Sequence, residues 1–281
     1  MVKLFNFWYF FFIVLTVGVI VGLYFLLRNK SDKIKKIVLF SILLFNLALH
    51  FLKLTFPPYS DDLSKAMRDV WFINLCATSV LFFPFIFISK NNGAKDYMVS
   101  IGLISGFLAV LYPTEAIGNS VLSLDLWRFY ICHIIIIAVP LLTVMLGVHT
   151  LDVKRIFKVP FYVCAMLLFI ICNQVLQSEL GIISLRSSNI YQVNWHNPSL
   201  IWGPTDDVAV IFSWLTPDFM KVIPFGEFAG QAKYWPFFWM LPAIFIYFIV
   251  EPFILCLIFD FKNTKNTLTL TFKKAVKIFK K

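Results

Sequence analysis

Polar side chains set inside long apolar stretches carry the chemical possibilities of this sequence. Asn46, His50 and Lys53 fall at i, i+4 and i+7 of one stretch, and Asn74 and Cys76 open another. His133 lies in a third, and Asn173, Gln174 and Gln177 lie in a fourth. A thiol becomes a nucleophile when an imidazole takes its proton, and amides can orient that imidazole or donate to an oxyanion. The same residue types also join membrane helices by hydrogen bonds, and a lone membrane Cys commonly serves as a small apolar filler. Either way, polar groups at this depth are costly and turn toward the bundle interior.

The elements that must position them are membrane helices. The chain has 281 residues, 60% hydrophobic and 14% charged, where a soluble domain carries about 25% charged residues. Apolar stretches of about 20 residues recur, and they predict an all-α polytopic membrane protein of about seven spans. These are placed near 5–27, 37–56, 71–89, 97–113, 129–148, 160–180 and 236–259. The first is too long for a signal-peptide core and has no small-residue cleavage site, so it reads as a retained span. Seventeen of the 25 Lys and Arg fall in the segments after the first, third, fifth and seventh spans. That bias places the N-terminus outside and the C-terminus in the cytoplasm.

Depth follows from this topology and a rise of about 1.5 Å per residue. Cys76 on the third span and His133 on the fifth lie about 7 and 6 Å below the outer surface. His50 lies about 9 Å below it, and Asn173, Gln174 and Gln177 lie at a similar level. Four helices thus bring polar groups to the acyl region of the outer leaflet, while their inner halves are almost purely Phe, Ile, Leu and Val. A cavity just below the outer surface, within reach of a lipid carbonyl, is the simplest arrangement.

Residues 1–260 read as one transmembrane domain with a long outer segment at 181–235. Its Trp195, Trp202, Trp214 and Trp235 favour the interface, and Pro198, Pro204, Pro217 and Pro224 forbid a single long helix. Val208 to Leu215 is apolar but too short to span, which suits a re-entrant or interfacial piece. Residues 261–281 read as a basic amphipathic tail lying on an anionic inner leaflet, with Phe272, Val276 and Phe279 on one face. The net charge of +10 sits at span ends, which argues against nucleic-acid binding. Cys76, Cys132, Cys164, Cys172 and Cys256 all lie in apolar segments, so no disulfide framework is expected, nor any metal site or cofactor. His149 and His196 fall in loops, and Glu251, followed by Pro252, stands apart in the last span. The excess of Lys over Arg, with many Phe, Ile and Asn, suggests an AT-rich bacterial genome.

Two stretches resemble a known family. Trp71-Phe72-Ile73-Asn74-Leu75-Cys76 precedes an apolar span, and Phe129-Tyr130-Ile131-Cys132-His133 opens another that contains Pro140, with a span from Gly102 to Pro113 between them. This order resembles the YwaF family of bacterial integral membrane proteins. That family is similar to an animal transmembrane acyltransferase acting on ether phospholipids, and more distantly to the androgen-induced-gene membrane hydrolases. Asn189-Ile190-Tyr191, Asn197-Pro198-Ser199 and Tyr234-Trp235-Pro236 resemble its outer segment. The resemblance covers about residues 37–250 and implies that Cys76 is the nucleophile and His133 the invariant histidine. Relatives often carry His where this chain has Asn74, and residues 204–233 form a longer stretch than usual.

On that basis the expected activity is a membrane-embedded, thiol-dependent acyltransferase or acyl hydrolase at the outer leaflet. The donor would be a membrane phospholipid, and the acceptor a lysolipid, a lipoprotein amine or water. His133 at matching depth is the natural base for Cys76, with His50 the second choice. Asn74, Asn173 or Gln174 would orient the imidazole or donate to the tetrahedral intermediate. Cys132 is the weaker nucleophile, about 100° around the helix from His133. The alternatives are a transporter or lipid-binding protein with the polar stripe as its pathway, and a structural subunit whose polar residues only join helices.

Overall fold

The computed structural model describes residues 1–57, 59–62, 66, 70–183, 199–204, 207–226, 229–230 and 233–279, with side chains at 207–208 and 274–279 excluded. Trp195, His196 and the stretches 189–191 and 197–198 lie outside the described residues. The protein is an all-α polytopic membrane protein. Its helices are α1 (Phe7–Leu27), α2 (Asp32–Phe51, continued by a 3-10 turn Leu52–Thr55), α3 (Leu75–Ile88), α4 (Asn92–Leu111), α5 (Leu124–Met145), α6 (Val159–Glu179), α7 (Asp207–Ser213), α8 (Leu241–Phe259) and α9 (Phe261–Phe279). Six, namely α1, α2, α4, α5, α6 and α8, are long and apolar enough to cross a membrane.

A further apolar helix, α3, is shorter. Its 14 residues reach about 21 Å, against a hydrocarbon core of about 30 Å. Hydrogen bonds between helix ends tie α1 to α4 and α3 to α6 at one end of the bundle, and α2 to α5 and α4 to α6 at the other. At the end that carries the N-terminus, Tyr9 Oη donates to Leu111 O (2.9 Å) and Trp71 Nε1 donates to Asn173 Oδ1 (3.1 Å). At the opposite end, Lys35 Nζ donates to Leu146 O (3.1 Å) and Asn91 Nδ2 to Tyr162 Oη (2.6 Å).

Three of the shifts in expected span boundaries have an electrostatic reason. The span expected at 97–113 begins at Asn92, because Asp96 is neutralised where it enters the bundle. His149 Nε2 meets its Oδ1 at 2.7 Å and Arg155 Nε its Oδ2 at 2.6 Å. The span expected at 129–148 begins at Leu124, because Asp125 and Arg128 pair within the helix at 2.8 Å. Paired charges enter a helix where lone ones would end it. The span expected at 71–89 begins only at Leu75, since Asn74 caps it by accepting from Ala77 N at 2.7 Å. The short apolar piece near 208–215 is helix α7, and the tail is helix α9. His149, which reads as an isolated loop residue in the sequence, is one arm of the buried Asp96 cluster.

Helix α5 is the axis of the fold. Ile134 to Val139 are all buried, and α1, α2, α3 and α4 pack around it. The α4–α5 contact is the closest, because Gly102 and Gly106 of α4 face it. A Cβ on Gly102 would stand 2.7 Å from Ile136 O and 2.9 Å from Pro140 Cγ, and one on Gly106 would strike the Ile137 side chain. Small residues let membrane helices approach in this way. Gly106 lies 3.4 Å, measured from such a Cβ, from His133 O, so the glycine pair sets how near His133 stands to α4. On the lipid side Phe10, Val14, Val17, Val21 and Phe25 of α1 are exposed. Glu251 of α8, the acid that stood apart in the sequence, accepts a hydrogen bond from Ser100 of α4.

Candidate functional site

Between α2, α3, α4 and α5, at the N-terminal end of the bundle, lies a cavity of about 240 Å³. Cys76, His133, His50 and Asn74 all line it, with Lys53, Ser105, Arg128 and Cys132. Its mouth runs past Tyr112, Thr114 and Glu115, all three exposed. Val80 and Ile136 lie one helical turn deeper than Cys76 and His133 and make its inner wall apolar. Asn173 and Gln174 do not line it.

The cavity exists because the chain breaks before α3. Residues 71–74 are not part of an α-helix and the helical turn before them ends at Val70, so these backbone groups need partners that a membrane does not supply. Three side chains supply them. His50 Nε2 bonds Val70 O at 2.8 Å, Asn173 Nδ2 donates to Phe72 O at 3.2 Å, and Ser199 Oγ donates to Ile73 O at 3.2 Å. Phe72 also stacks on the His50 ring, 5.4 Å between centroids and 17° between planes. Asn173, expected among the oxyanion or orienting groups, is thus committed to Trp71 and Phe72. His50 faces the cavity but spends one ring nitrogen on the break.

The break sets the first turn of α3 inside the bundle, with Cys76 its second residue. The leading N–H groups of a helix have no intrahelical carbonyl, and the macrodipole makes that end positive. Asn74 Oδ1 takes the N–H of Ala77, and Asn74 O takes the N–H of Thr78 at 2.9 Å. The N–H groups of Leu75 and Cys76 precede both, beside the thiol itself. Ser105, whose Oγ donates to Ile101 O at 2.7 Å, lines the cavity together with Cys76.

His133 is oriented by its own helix. Its Nδ1 lies 2.7 Å from Phe129 O, and a carbonyl only accepts. The proton therefore belongs on Nδ1, and Nε2 keeps a lone pair. The ring rests against Phe129, 4.3 Å between centroids, and this fixes its tilt. By the same logic His50 carries its proton on Nε2 and keeps a lone pair on Nδ1. Asn46 Nδ2 reaches Cys132 O at 3.4 Å and ties α2 to α5 behind the cavity.

Three groups escape notice in the sequence. Arg128 reads as a loop charge at the span's outer edge, yet it is buried within α5 and lines the cavity; the Asp125 three residues before it is the signal that could have found it. Ser105 lies one turn from Gly102 on the face of α4 that meets α5. Glu115 follows Pro113-Thr114 at the end of a span, and nothing local marks it. Among the described residues no group of three or more His, Cys, Asp or Glu could hold a metal ion.

The model of the TMEM164 family matches residues 3–259. No curated protein matches the chain, and no solved structure does. The chain belongs to the TMEM164 family.

Proposed function

We propose that this member of the TMEM164 family is a membrane-embedded acyltransferase that moves a fatty acyl chain from a phospholipid to a lipid, a lipoprotein amine or water through Cys76 and His133. The observation that carries the reading is that a thiol at a helix start and a histidine with a free Nε2 line one cavity inside the bundle. The resemblance of Trp71–Cys76 and Phe129–His133 to the YwaF and ether-phospholipid acyltransferase families supports the same two roles.

The chemistry runs in two halves. His133 Nε2 takes the thiol proton, and the thiolate attacks the ester carbonyl carbon of the donor. The oxyanion that forms faces the leading N–H groups of α3, where donors and dipole stabilise it. The intermediate collapses by breaking the ester C–O bond, and the imidazolium returns its proton to the leaving alkoxide, a lysolipid. An acceptor amine, hydroxyl or water then gives a proton to His133, attacks the thioester carbonyl and releases Cys76 as thiol. The apolar inner wall suits the acyl chain. A transport pathway would need polar lining through the bundle, whereas Ile134 to Val139 of α5 are buried in apolar packing below the cavity.

An acyl-thioester on Cys76 is the expected intermediate. Purified protein given phospholipid and denatured quickly should yield a Cys76 peptide heavier by one acyl group, and hydroxylamine should remove it. If the acyl group is found on Cys132 or on no cysteine, the assignment falls.

The basic bias places the cavity at the outer leaflet. A cysteine at Leu122, the exposed loop between α4 and α5, should react with an impermeant maleimide in intact cells. One at Lys154, at the opposite end of the bundle, should react only after lysis. The reverse pattern would move the chemistry to the inner leaflet.

A further inference from the structure

At the end of the bundle opposite the Cys76 cavity, two further cavities adjoin, and the proposed reaction uses neither. One, of about 380 Å³, is mostly polar, with Asp152, Arg155, Asp260, Asn263 and Asn266 in its lining. The other, of about 460 Å³, is apolar, with Phe157 before α6, Ile249, Val250 and Phe253 of α8, and Leu268 of α9. Val153, Lys154 and Thr267 line both, so the two cavities meet along those residues.

One wall is the connection between α5 and α6, which the buried Asp96 cluster clamps. Arg155 gives Nε and Nη2 to the two oxygens of Asp96, at 2.6 and 3.1 Å, and Nη2 also reaches Thr150 O at 2.7 Å. Asp152 Oδ1 accepts from Lys154 N at 2.9 Å, and the Lys154 side chain stays exposed. The other wall is α9. The helix parts from α8 at Asp260, and Thr264, 1% exposed, pins its first turn by donating to Cys256 O at 3.2 Å. Phe157, Val250 and Leu268 are exposed, so the apolar cavity opens toward lipid.

The basic bias puts this end of the bundle at the inner leaflet. Seven lysines between 262 and 281 draw anionic lipids to α9. From one cavity to the other the lining runs from an apolar slot, past a lysine at the junction, to carboxylates, amides and hydroxyls. Carboxylates accept from hydroxyl groups, whereas Asn266 and Thr267 both donate and accept. Such a lining suits a headgroup that carries several hydroxyls. A choline head has no proton to donate, and an ethanolamine ammonium only donates and would stand beside Lys154.

We propose that these cavities hold an anionic inner-leaflet lipid with a polyol headgroup. Its chain lies between α8 and α9, its phosphate meets Lys154, and its hydroxyls sit among Asp152, Asn263 and Asn266. The bound lipid braces α9 against α6 and α8. It is a resident of the fold and not a reactant, so the inference stands apart from the chemistry at Cys76.

Photolabelling tests it on the full chain carrying Cys76→Ala, in nanodiscs, where no turnover occurs. Phosphatidylglycerol with a diazirine in one acyl chain should mark residues within 249–253 and 267–271. Unlabelled phosphatidylglycerol should compete about fivefold better than phosphatidylcholine of the same chains, the worth of one cation at an anionic headgroup. Phosphatidic acid, which keeps the phosphate and lacks the hydroxyls, should compete less well than phosphatidylglycerol. Lys154→Gln should remove most of the margin over phosphatidylcholine. Asn266→Ala, an exposed change, should erase the preference for phosphatidylglycerol over phosphatidic acid. Label confined to the peptides of the Cys76 cavity would overturn the site. Equal competition by phosphatidylcholine would reduce it to ordinary contact with surrounding lipid, and equal competition by phosphatidic acid would overturn the polyol assignment. Margins that survive in both variants would also end the proposal.

Discussion

Replacing Cys76 by Ser should lower acyl transfer roughly 10³-fold or more, by analogy with nucleophile replacements in other acyl-transfer enzymes. A hydroxyl holds its proton far more tightly than a thiol and needs stronger activation. This site does not offer it. The Nδ1 of His133 bonds a neutral backbone carbonyl, Phe129 O at 2.7 Å, whereas serine enzymes place a carboxylate there to stabilise the imidazolium. A thiol works with the weaker base. The exchange is nearly isosteric, and the position lines a cavity with Asn74 and Ser105, so the fold should hold. The measurement is single-turnover release of lysolipid from a radiolabelled donor, with thermal unfolding followed on the same preparations. Cys76→Ala gives the same loss if the sulfur is the nucleophile. A Ser variant that retains more than a tenth of the rate would end the thiol mechanism, and lipid binding or transport would then account for the cavity.

His133→Gln is the second large effect, a loss of roughly 10²–10⁴-fold, the range for a general base. Gln can still donate to Phe129 O, so the local hydrogen bond survives while the lone pair facing the cavity does not. Two readouts separate a base from a structural role. Alkylation of Cys76 near neutral pH, followed by peptide mapping to resolve it from Cys132, should slow in parallel with turnover because the thiolate fraction falls. Lipid binding by the variant should be unchanged. If turnover collapses while alkylation of Cys76 proceeds at the original rate, His133 acts on packing and not on the thiol.

The remaining groups show how far a role is legible in the chain alone. Asn173 and His50 belong to the expected depth, yet both spend hydrogen bonds on residues 70–72, at the break before α3. No local pattern separates an amide that serves substrate from one that serves a carbonyl three helices away. Gln174 is buried on α6 away from the cavity lining, although its depth matches that of its neighbour Asn173. Arg128 is hidden for a different reason. A charge near a span end reads as a boundary, and its pairing with Asp125 removes the cost that makes it one.

By itself the sequence determined that the chain is a bundle of membrane helices, and which residues share a depth. Those are local properties: a run of apolar residues has a length, a helix a fixed rise, and an Asn at residue 6, 74 or 91 a helix to cap. The tertiary structure alone decided which of the equally deep groups meet. Helices such as α3 and α8 are apolar all round, because lipid and bundle core are equally greasy, so no periodicity reports which face turns inward. That rotation was set at a distance, by Gly102 and Gly106 admitting α5, by Asn46 reaching Cys132 O, and by His50, Asn173 and Ser199 holding open the break that lets α3 begin beside His133.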